Sequence, residues 1–513
     1  MSLEFLKKYE YKLKTKDEIK SLIKDYPRKN KVILCHGVFD VVHPGHVRHL
    51  AYAKSKAQVL IASVTQDKFI KKGIYRPHIP EKLRALNLAA FEMVDYVFID
   101  DHETPINSLK KLQPDFFAKG FEYSNNGLPP ATLEETEEVV SYGGQMLFTP
   151  GDIVYSSSKF IELSPPNVEM EKLSLLMDQY NITFLDLKNI VKKLSNHSVH
   201  VIGDTIVDSY TRTTLIGGQT KTPTISVLKE RQDNYIGGAA IVAMHMAATG
   251  AKVYFSTVLG NDELKDFVLQ GMKKSNISVL PIIDETRPTT NKNVFISSGY
   301  RLLKVDTLDN RSIFEKDAVS ISNHIKNTEA KAIVFSDFRH GIFSKQSIPL
   351  FTSSIPNNIF SVADSQVASR WGNITDFKGF DLITPNEREA RFAVADQDST
   401  VGALAGKISS LSECKILFMK LGEKGLFVSI DKDKKNKKYF SIDSFTSNLS
   451  DAVGAGDALL AYSTLSMMES DSEIAAAIIG SIAAACECEF DGNIPITPKH
   501  VFEKLNIIEK RLN

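Results

Sequence analysis

Short apolar runs alternate with helical patterns along the chain, and no other feature limits its possible folds as much. "KVILCHGVF" (31–39) reads as a buried strand, "GHVRHLAYAKSKA" as a helix and "QVLIASVT" as a second strand. The helix "EKLRALNLAAF", the strand "VDYVFID", the helix "INSLKKL" and the short strand "DFFAKG" continue the series. "LEETEEVVSYGG" is a helix ending in glycines, and "QMLFTP" is a further strand. Strands separated by helical patterns of about 10–15 residues imply a parallel sheet with helices on both faces. The alternation breaks near residue 165 at "SPPN", where two prolines cannot continue a helix. A helix-rich connector, "VEMEKLSLLMDQYNITFLDLKNIVKKL", follows, and at "SVHVIGDTIVDSY" (198–210) a strand opens a second unit.

The expected organisation is an N-terminal helical extension (1–27), a first α/β domain (28–163), a linker and helical connector (164–197) and a second α/β domain (198–513). The expected fold class is α/β, with two doubly wound parallel-sheet domains. A length of 513 residues suits two or three domains. "DKDKKNKKYF" (431–440) reads as a solvated hairpin turn.

Lys+Arg and Asp+Glu are both 62, so no global field draws nucleic acid or an anionic membrane, and any anion site must be local. No apolar run approaches the roughly 18 residues of a membrane span, and the charged N-terminus has no signal-peptide core. Cys35, Cys414, Cys486 and Cys488 are too few and badly spaced for a disulfide framework or a four-ligand zinc site. Cys486 and Cys488, in "SIAAACECEF", read as small packing residues, and a reducing cytoplasm is the expected setting.

Four of the 12 histidines fall in "CHGVFDVVHPGHVRHL" (35–50). The chain leaves its first strand through Gly37, and Pro44 suits a first helical position. His43 and His46, three apart, project over the same helix start, where free N–H groups and the helix dipole favour an anion. A metal-binding helix would favour histidines four apart with an acidic partner, and His49 reads as helix surface.

Gly37-x-Phe39-Asp40 followed by His43-x-Gly45-His46 resembles the nucleotidyltransferases of the cytidylyltransferase-like group, which have a Rossmann-like fold. Arg76-Pro77, Lys119-Gly120 and "YSSSKFI" (155–161) follow in the matching order. The resemblance implies that His43 and His46 stabilise the α-phosphate of a nucleoside triphosphate under attack. It further implies that Gly37, Phe39, Asp40, Arg76, Ser156, Ser157 and Ser158 hold the nucleotide. Lys119 and Lys72 would lend cationic support, and His36 would line the nucleotide site. A sugar-phosphate oxygen would attack in line, and pyrophosphate neutralised by Mg²⁺ would leave.

"SDAVGAGDALLAY" (450–462) carries the second pattern. Gly454, Ala455 and Gly456 let backbone N–H groups approach an anion at the start of an apolar helix. Asp457 sits where it could take a proton from a hydroxyl attacking a γ-phosphate; taken alone, the same residues also fit a tight turn and a helix cap. The Gly-Gly loop of "YIGGAAIVAMHMAATGA" (235–251), Asp204 and Asp208, "FSDFRHGIF" with Asp337 and Gly341, "LITPNEREA", and the glycine hairpin "MKLGEKGLFV" accompany it. Together, over about 198–505, these resemble the ribokinase-like (PfkB) carbohydrate kinases. The resemblance implies that Asp457 is the base and that Gly454, Ala455 and Gly456 form an anion hole, with Gly422 and Gly425 at the nucleotide. Asn386 and Glu389 would organise Mg²⁺ and phosphate, while Asp204, Asp208, Gly237, Gly238 and Asp337 would hold the sugar. Ile241 stands where relatives commonly place a sugar-contacting asparagine, and Val453 where many have threonine. A lost buried hydrogen bond of that kind costs about 1–3 kcal/mol. No G-x-x-x-x-G-K-[ST] motif occurs.

The two halves together resemble the bifunctional heptose-phosphate kinase/heptose-1-phosphate adenylyltransferase family, with the domain order reversed. The expectation is therefore a cytoplasmic, homodimeric enzyme of nucleotide-sugar synthesis, with no nucleic acid or membrane partner. Its C-terminal domain would phosphorylate a sugar or sugar phosphate with ATP, and its N-terminal domain would transfer a nucleotidyl group from ATP or CTP to a sugar 1-phosphate. An ADP-heptose-type precursor of surface glycans is the expected product, with Mg²⁺ as cofactor. Two other readings stay open: a CDP-polyol transferase fused to a drifted kinase fold, motivated by Ile241, and a non-enzymatic sensing scaffold, against which intact His43, His46, Asp457 and Glu389 argue.

Overall fold

The computed structural model describes residues 8–70, 76–120, 130–149, 169–217, 225–366, 372–432, 437–446, 452–490 and 492–512. The chain forms two compact units. The first is Met1–Leu175 with Asp398–Thr400 and Leu512–Asn513; the second is Leu176–Gln397 with Val401–Arg511. Among the described residues, no helix is long and apolar enough to cross a membrane.

The first unit is built on β1 (Val32–Gly37), β2 (Val59–Thr65), β3 (Tyr96–Asp100), β4 (Phe116–Gly120) and β5 (Gln145–Thr149), all parallel and ordered β3-β2-β1-β4-β5. The chain starts in the middle, steps outward to β3, then crosses to β4, so the order reverses between β1 and β4. Such a reversal opens a crevice at the strands' carboxyl ends. Both faces are covered, which is why β1 reads as a continuous apolar run. Ile33 and Cys35 pack with Leu50 and Ala53 of the helix Pro44–Lys56, while Leu34 packs on the other face with Phe117, Leu109 and Leu112. The segment expected as an extension contributes to that second layer. Its helix Lys16–Ile23 starts with a Thr15–Glu18 capping box and buries Ile19 and Ile23 there, and Leu13 pairs with Val97 of β3.

The second unit departs from a purely parallel plan. Its main sheet runs β10 (Ser278–Ile283), β9 (Lys252–Leu259), β6 (Ser198–Gly203), β13 (Ala332–Asp337), β14 (Phe360–Ser365), β15 (Leu382–Ile383), β16 (Ile416–Lys420), β17 (Leu426–Ile430) and β18 (Lys438–Ile442). The first seven are parallel, whereas β17 and β18 join antiparallel. The link from β17 to β18 includes the charged run, of which 433–436 lie outside the described residues. A separate four-stranded sheet holds β7 (Thr205–Gly217), β8 (Ser226–Gly238), β11 (Asn291–Ser297) and β12 (Tyr300–Thr307), in the order β12-β11-β7-β8. "VIGDTIVDSY" is thus two strands, parted at Asp204; on the preceding Gly203 a Cβ would collide with the Ser336 carbonyl and with Ala239. The helix Ala455–Ser470 is buried almost all round, as is its neighbour Glu473–Cys488.

Candidate active sites

In the first unit the chain leaves β1 at Gly37 and enters the helix Pro44–Lys56 with His43 as N-cap. The Nδ1 of His43 accepts the N–H of Gly45 at 3.1 Å, and the Nδ1 of His46 accepts the N–H of His43 at 3.4 Å. Both rings are therefore fixed by backbone groups, that of His46 also by the Val41 carbonyl, and a neutral imidazole whose Nδ1 accepts carries its proton on Nε2. The ring centroids are 3.9 Å apart. Burial, then the neighbouring His43 and His49, push His46 down to about 4, so it is uncharged at neutral pH. The glycines make room for the rings: a Cβ on Gly45 would lie 2.8 Å from His43, and one on Gly37 would lie 3.2 Å from Phe39. Phe39, at φ 50°, sets its ring 5.2 Å from that of His46. Beside His43 opens a cavity of about 860 Å³, lined also by Arg48, Asn87 and apolar side chains including Val41, Val42 and Phe91.

Asp40 is buried, and its Oδ1 accepts the N–H groups of His78 (2.8 Å) and Ile79 (3.0 Å). Arg76 Nε stands 4.0 Å from its other oxygen. Asp40 thus fastens the loop that carries Arg76. Sequence reasoning missed Arg84, which is fully buried and donates to the carbonyls of Ile79, Thr65 and Val38 and to Asp67. It ties together two strand exits and the loop; its signal was a charged residue inside the apolar face of "EKLRALNLAAF".

Two residues expected at this site have partners within the fold. His36 does not present a free ring to a nucleotide: Nδ1 lies 2.8 Å from Ser63 Oγ, Nε2 lies 3.3 Å from Thr65 Oγ1, and burial pushes the ring down to about 3. Lys119 is not a spare cation, because it pairs with the buried Glu135 and donates to Thr132 Oγ1 at 3.3 Å. Lys72, Ser156, Ser157 and Ser158 lie outside the described residues.

In the second unit, Gly454 is the N-cap of the helix Ala455–Ser470 at φ 87°. A Cβ there would stand 2.8 Å from Asn493 Oδ1 and 2.9 Å from Glu487 Oε1. Asp457 is 8% exposed, and its Oδ1 has no hydrogen-bond partner among the described residues. Burial, then the field of Asp364, push its carboxyl up to about 8, with Lys420 opposing and Asp208 and Glu389 adding to the rise. Four carboxylates thus converge on one place. Asp208 accepts the amide Nδ2 of Asn493 at 3.1 Å. A Cβ on Gly237 would collide with the carboxylate of Asp208, and one on Gly238 (φ 64°) with the carbonyl of Asp204. The Gly-Gly pair therefore lets that carboxylate lie against the end of β8.

Asp204 and Asp337, expected to hold the sugar, each anchor a loop. Asp204 accepts the N–H groups of Phe338 (3.1 Å), His340 (3.1 Å) and Ile342 (3.3 Å). Asp337 accepts Nε (2.6 Å) and N–H (2.8 Å) of Arg339 and the hydroxyl of Ser365 (2.8 Å), and burial pushes it up to about 7. Buried carboxylates are hydrogen-bonded, and these two order the loop around Phe338–Ile342.

Asn386 and Glu389 form a capping box for the helix Glu387–Ala393: Asn386 Oδ1 accepts Glu389 N–H (2.8 Å), and Glu389 Oε2 accepts Asn386 N–H (2.7 Å). The oxygen with which Asn386 would meet a metal already caps the helix. Glu389 keeps a second oxygen, and burial pushes its carboxyl up to about 7. Gly422 (φ 62°) and Gly425 (φ 86°) turn the chain between β16 and β17; at Gly422 an added Cβ would meet nothing. Ile241 is fully buried in the helix Ala239–Ala248, where it packs as core. Sequence reasoning also missed Asp364, Lys420 and Asn493. The first two carried a signal, being charged residues at the carboxyl ends of apolar parallel strands.

Residues 196–499 match the family model "pfkB family carbohydrate kinase", and residues 34–163 match "Cytidylyltransferase-like". Bifunctional protein HldE of Campylobacter jejuni subsp. doylei is 36% identical over 156 residues, which is 30% of this chain and 32% of that protein. Bifunctional protein HldE of Syntrophotalea carbinolica is 33% identical over 141 residues, 27% of this chain and 28% of that protein. The chain therefore matches only about a third of the length of these curated relatives. The structure of phosphofructokinase-2 from Escherichia coli in complex with substrates and products aligns with a TM-score of 0.51 at 15% identity, covering 61% of this chain and 99% of that one. That likeness speaks for a shared fold.

Proposed function

The chain belongs to the pfkB family of carbohydrate kinases, and from that premise we propose that it is a bifunctional enzyme of nucleotide-sugar synthesis. In the second unit, Asp457 takes the proton of a sugar hydroxyl whose oxygen attacks the γ-phosphorus of ATP. The new O–P bond forms as the bond to the β-phosphate oxygen breaks, and ADP leaves with that electron pair. Asp208 and Asn493 orient the sugar, and the amides at Gly454, Ala455 and Gly456 receive the charge on the phosphoryl oxygens. Kinases and nucleotidyltransferases of these families use nucleoside triphosphates with Mg²⁺. The hard carboxylate oxygens of Glu389 suit that ion, which would neutralise phosphate charge when bound.

In the first unit, a sugar 1-phosphate oxygen attacks the α-phosphorus of ATP or CTP, and pyrophosphate leaves with the electrons of the broken P–O bond. His43 and His46, both capped through Nδ1, donate from Nε2 to the oxygens on which charge builds. Neither ring has to move a proton. Similarity to the HldE proteins over the first unit favours a heptose 1-phosphate and ATP, giving an ADP-heptose.

One observation carries this reading. A carboxyl buried at a helix start, with an oxygen lacking any partner among the described residues, lies within the field of a second, amide-bound carboxylate, Asp208. Purified full-length protein should consume ATP in a sugar-dependent way and release pyrophosphate from ATP or CTP in a sugar-1-phosphate-dependent way. If neither occurs across a panel of sugars, sugar phosphates and polyol phosphates, the proposal fails. Buried Ile241 favours a second reading, in which the kinase half takes a different acceptor and the first unit makes a CDP-polyol. Pyrophosphate release with CTP and a polyol phosphate alone would select it.

A further inference from the structure

We propose that Lys420 is a catalytic cation of the kinase site, its ammonium contacting the phosphoryl group in transfer while Asp364 holds it in place. The inference rests on the kinase reading of the second unit and adds a group that the glycine-rich turn and the base do not supply.

Lys420 is the last residue of β16, and its own N–H donates to the carbonyl of Pro385 at 2.9 Å. The strand end is thereby locked to the segment entering the Asn386–Glu389 cap. Its Nζ lies 3.0 Å from each oxygen of Asp364, a residue 2% exposed whose Oδ1 also accepts the hydroxyl of Thr384 at 3.1 Å. The holder is rigid and sealed. The lysine is less enclosed than its holder: 15% of its side chain is exposed against 3% for that of Asp364.

On the other side stands the glycine-rich turn. A Cβ added to Gly456 would lie 3.3 Å from the Nζ of Lys420 and 3.5 Å from its Cδ. Glycine at 456 thus serves two ends, opening the backbone to an anion and admitting a full positive charge beside it. A helix start offers only about half an elementary charge. The surrounding carboxylates of Asp364, Glu389 and Asp457 would otherwise repel a triphosphate. Negative charge spreads over the equatorial oxygens of the transferred group as the bond to ADP breaks, and a preorganised cation stabilises it most at that moment. Asp364 is a positioning residue in this arrangement.

The competing role is neutralisation of buried Asp364 alone, and a charge-balanced pair of variants separates the two. The measurements are kcat and KM for ATP in the full-length chain, with thermal unfolding of the second unit as a folding check. Lys420→Met should lower kcat by about 10²–10³-fold with a much smaller change in KM. Lys420→Arg should recover part of that loss. The double variant Lys420→Met/Asp364→Asn removes the pair together; its kcat should stay as low as that of Lys420→Met even where its unfolding midpoint recovers. Full recovery of kcat in the double variant, or an unimpaired Lys420→Met, overturns the inference and leaves the kinase reading standing. A wild-type chain without kinase activity on any acceptor overturns both.

Discussion

The two anion sites start from the same backbone device, a strand exit feeding a helix N-terminus, and differ in what fills the cap. At the start of Pro44–Lys56, two imidazoles accept backbone N–H groups, His43 from Gly45 and His46 from His43, and burial holds His46 neutral. At the start of Ala455–Ser470, the cap is a glycine with no side chain, and the helix's first turn carries a carboxyl, Asp457, pushed up to about 8 by burial. Rings pinned through one nitrogen make fixed donors, suited to a reaction in which charge builds on a phosphate and no proton need be caught. A bare cap beside a basic carboxylate suits a reaction in which a hydroxyl must lose its proton. The difference shows that a helix start specifies anion binding, while the side chains at its rim decide the chemistry.

The largest test of that contrast is Asp457→Asn, which should lower sugar-dependent ATP consumption by about 10²–10⁴-fold while pyrophosphate release is unchanged. His46→Ala should do the reverse, lowering pyrophosphate release by about 10²–10³-fold and sparing the kinase. Equal loss of both activities in either variant would break the comparison. Acidity sharpens it further. Asp457 works only when ionised and its carboxyl is raised to about 8, so kinase kcat should fall about tenfold per pH unit below that value and level off above it. His46, lowered to about 4, stays neutral above about pH 5.5, so nucleotidyl transfer should be flat from there to pH 8. A kinase profile that is flat over the same range would remove Asp457 from the role of base. The smallest effect concerns Ile241. Ile241→Val should cost about 0.5–1.5 kcal/mol in urea unfolding and leave KM for the sugar unmoved, because the residue is core; a shifted KM would return it to the sugar.

What was legible follows from how local each signal is. β1 to β5 and their helices were readable within one or two residues at most ends, because a strand covered on both faces must be apolar throughout. The sheet of β7, β8, β11 and β12 was not, since its long strands carry charged residues such as Asp208, Arg212 and Lys292 among the apolar ones. Nor was β15, two residues long inside "LITPNEREA". The histidine pair and the turn from Gly454 to Asp457 were visible because each lies within a few consecutive positions. Lys420 and Asp364 meet across 56 residues, and Asn493 and Asp208 across 285, so no window of sequence holds either pair. Asp204 and Asp337 stood out for the same local reason as Asp208, yet only the folded loop reveals the backbone N–H groups that they accept.

The helix that carries Ile19 and Ile23 has a practical bearing on anyone trimming this protein. A fragment begun at residue 34, where the cytidylyltransferase-like match starts, would lack Val32 and Ile33 of β1 and would strip both isoleucines from Phe117, Leu109 and Leu112. It would also bare the outer edge of β3, where Leu13 now docks. Such a fragment would present a greasy flank and an open seam at once, the two ingredients of clumping during purification. Cloning from upstream of Tyr9 keeps both shut.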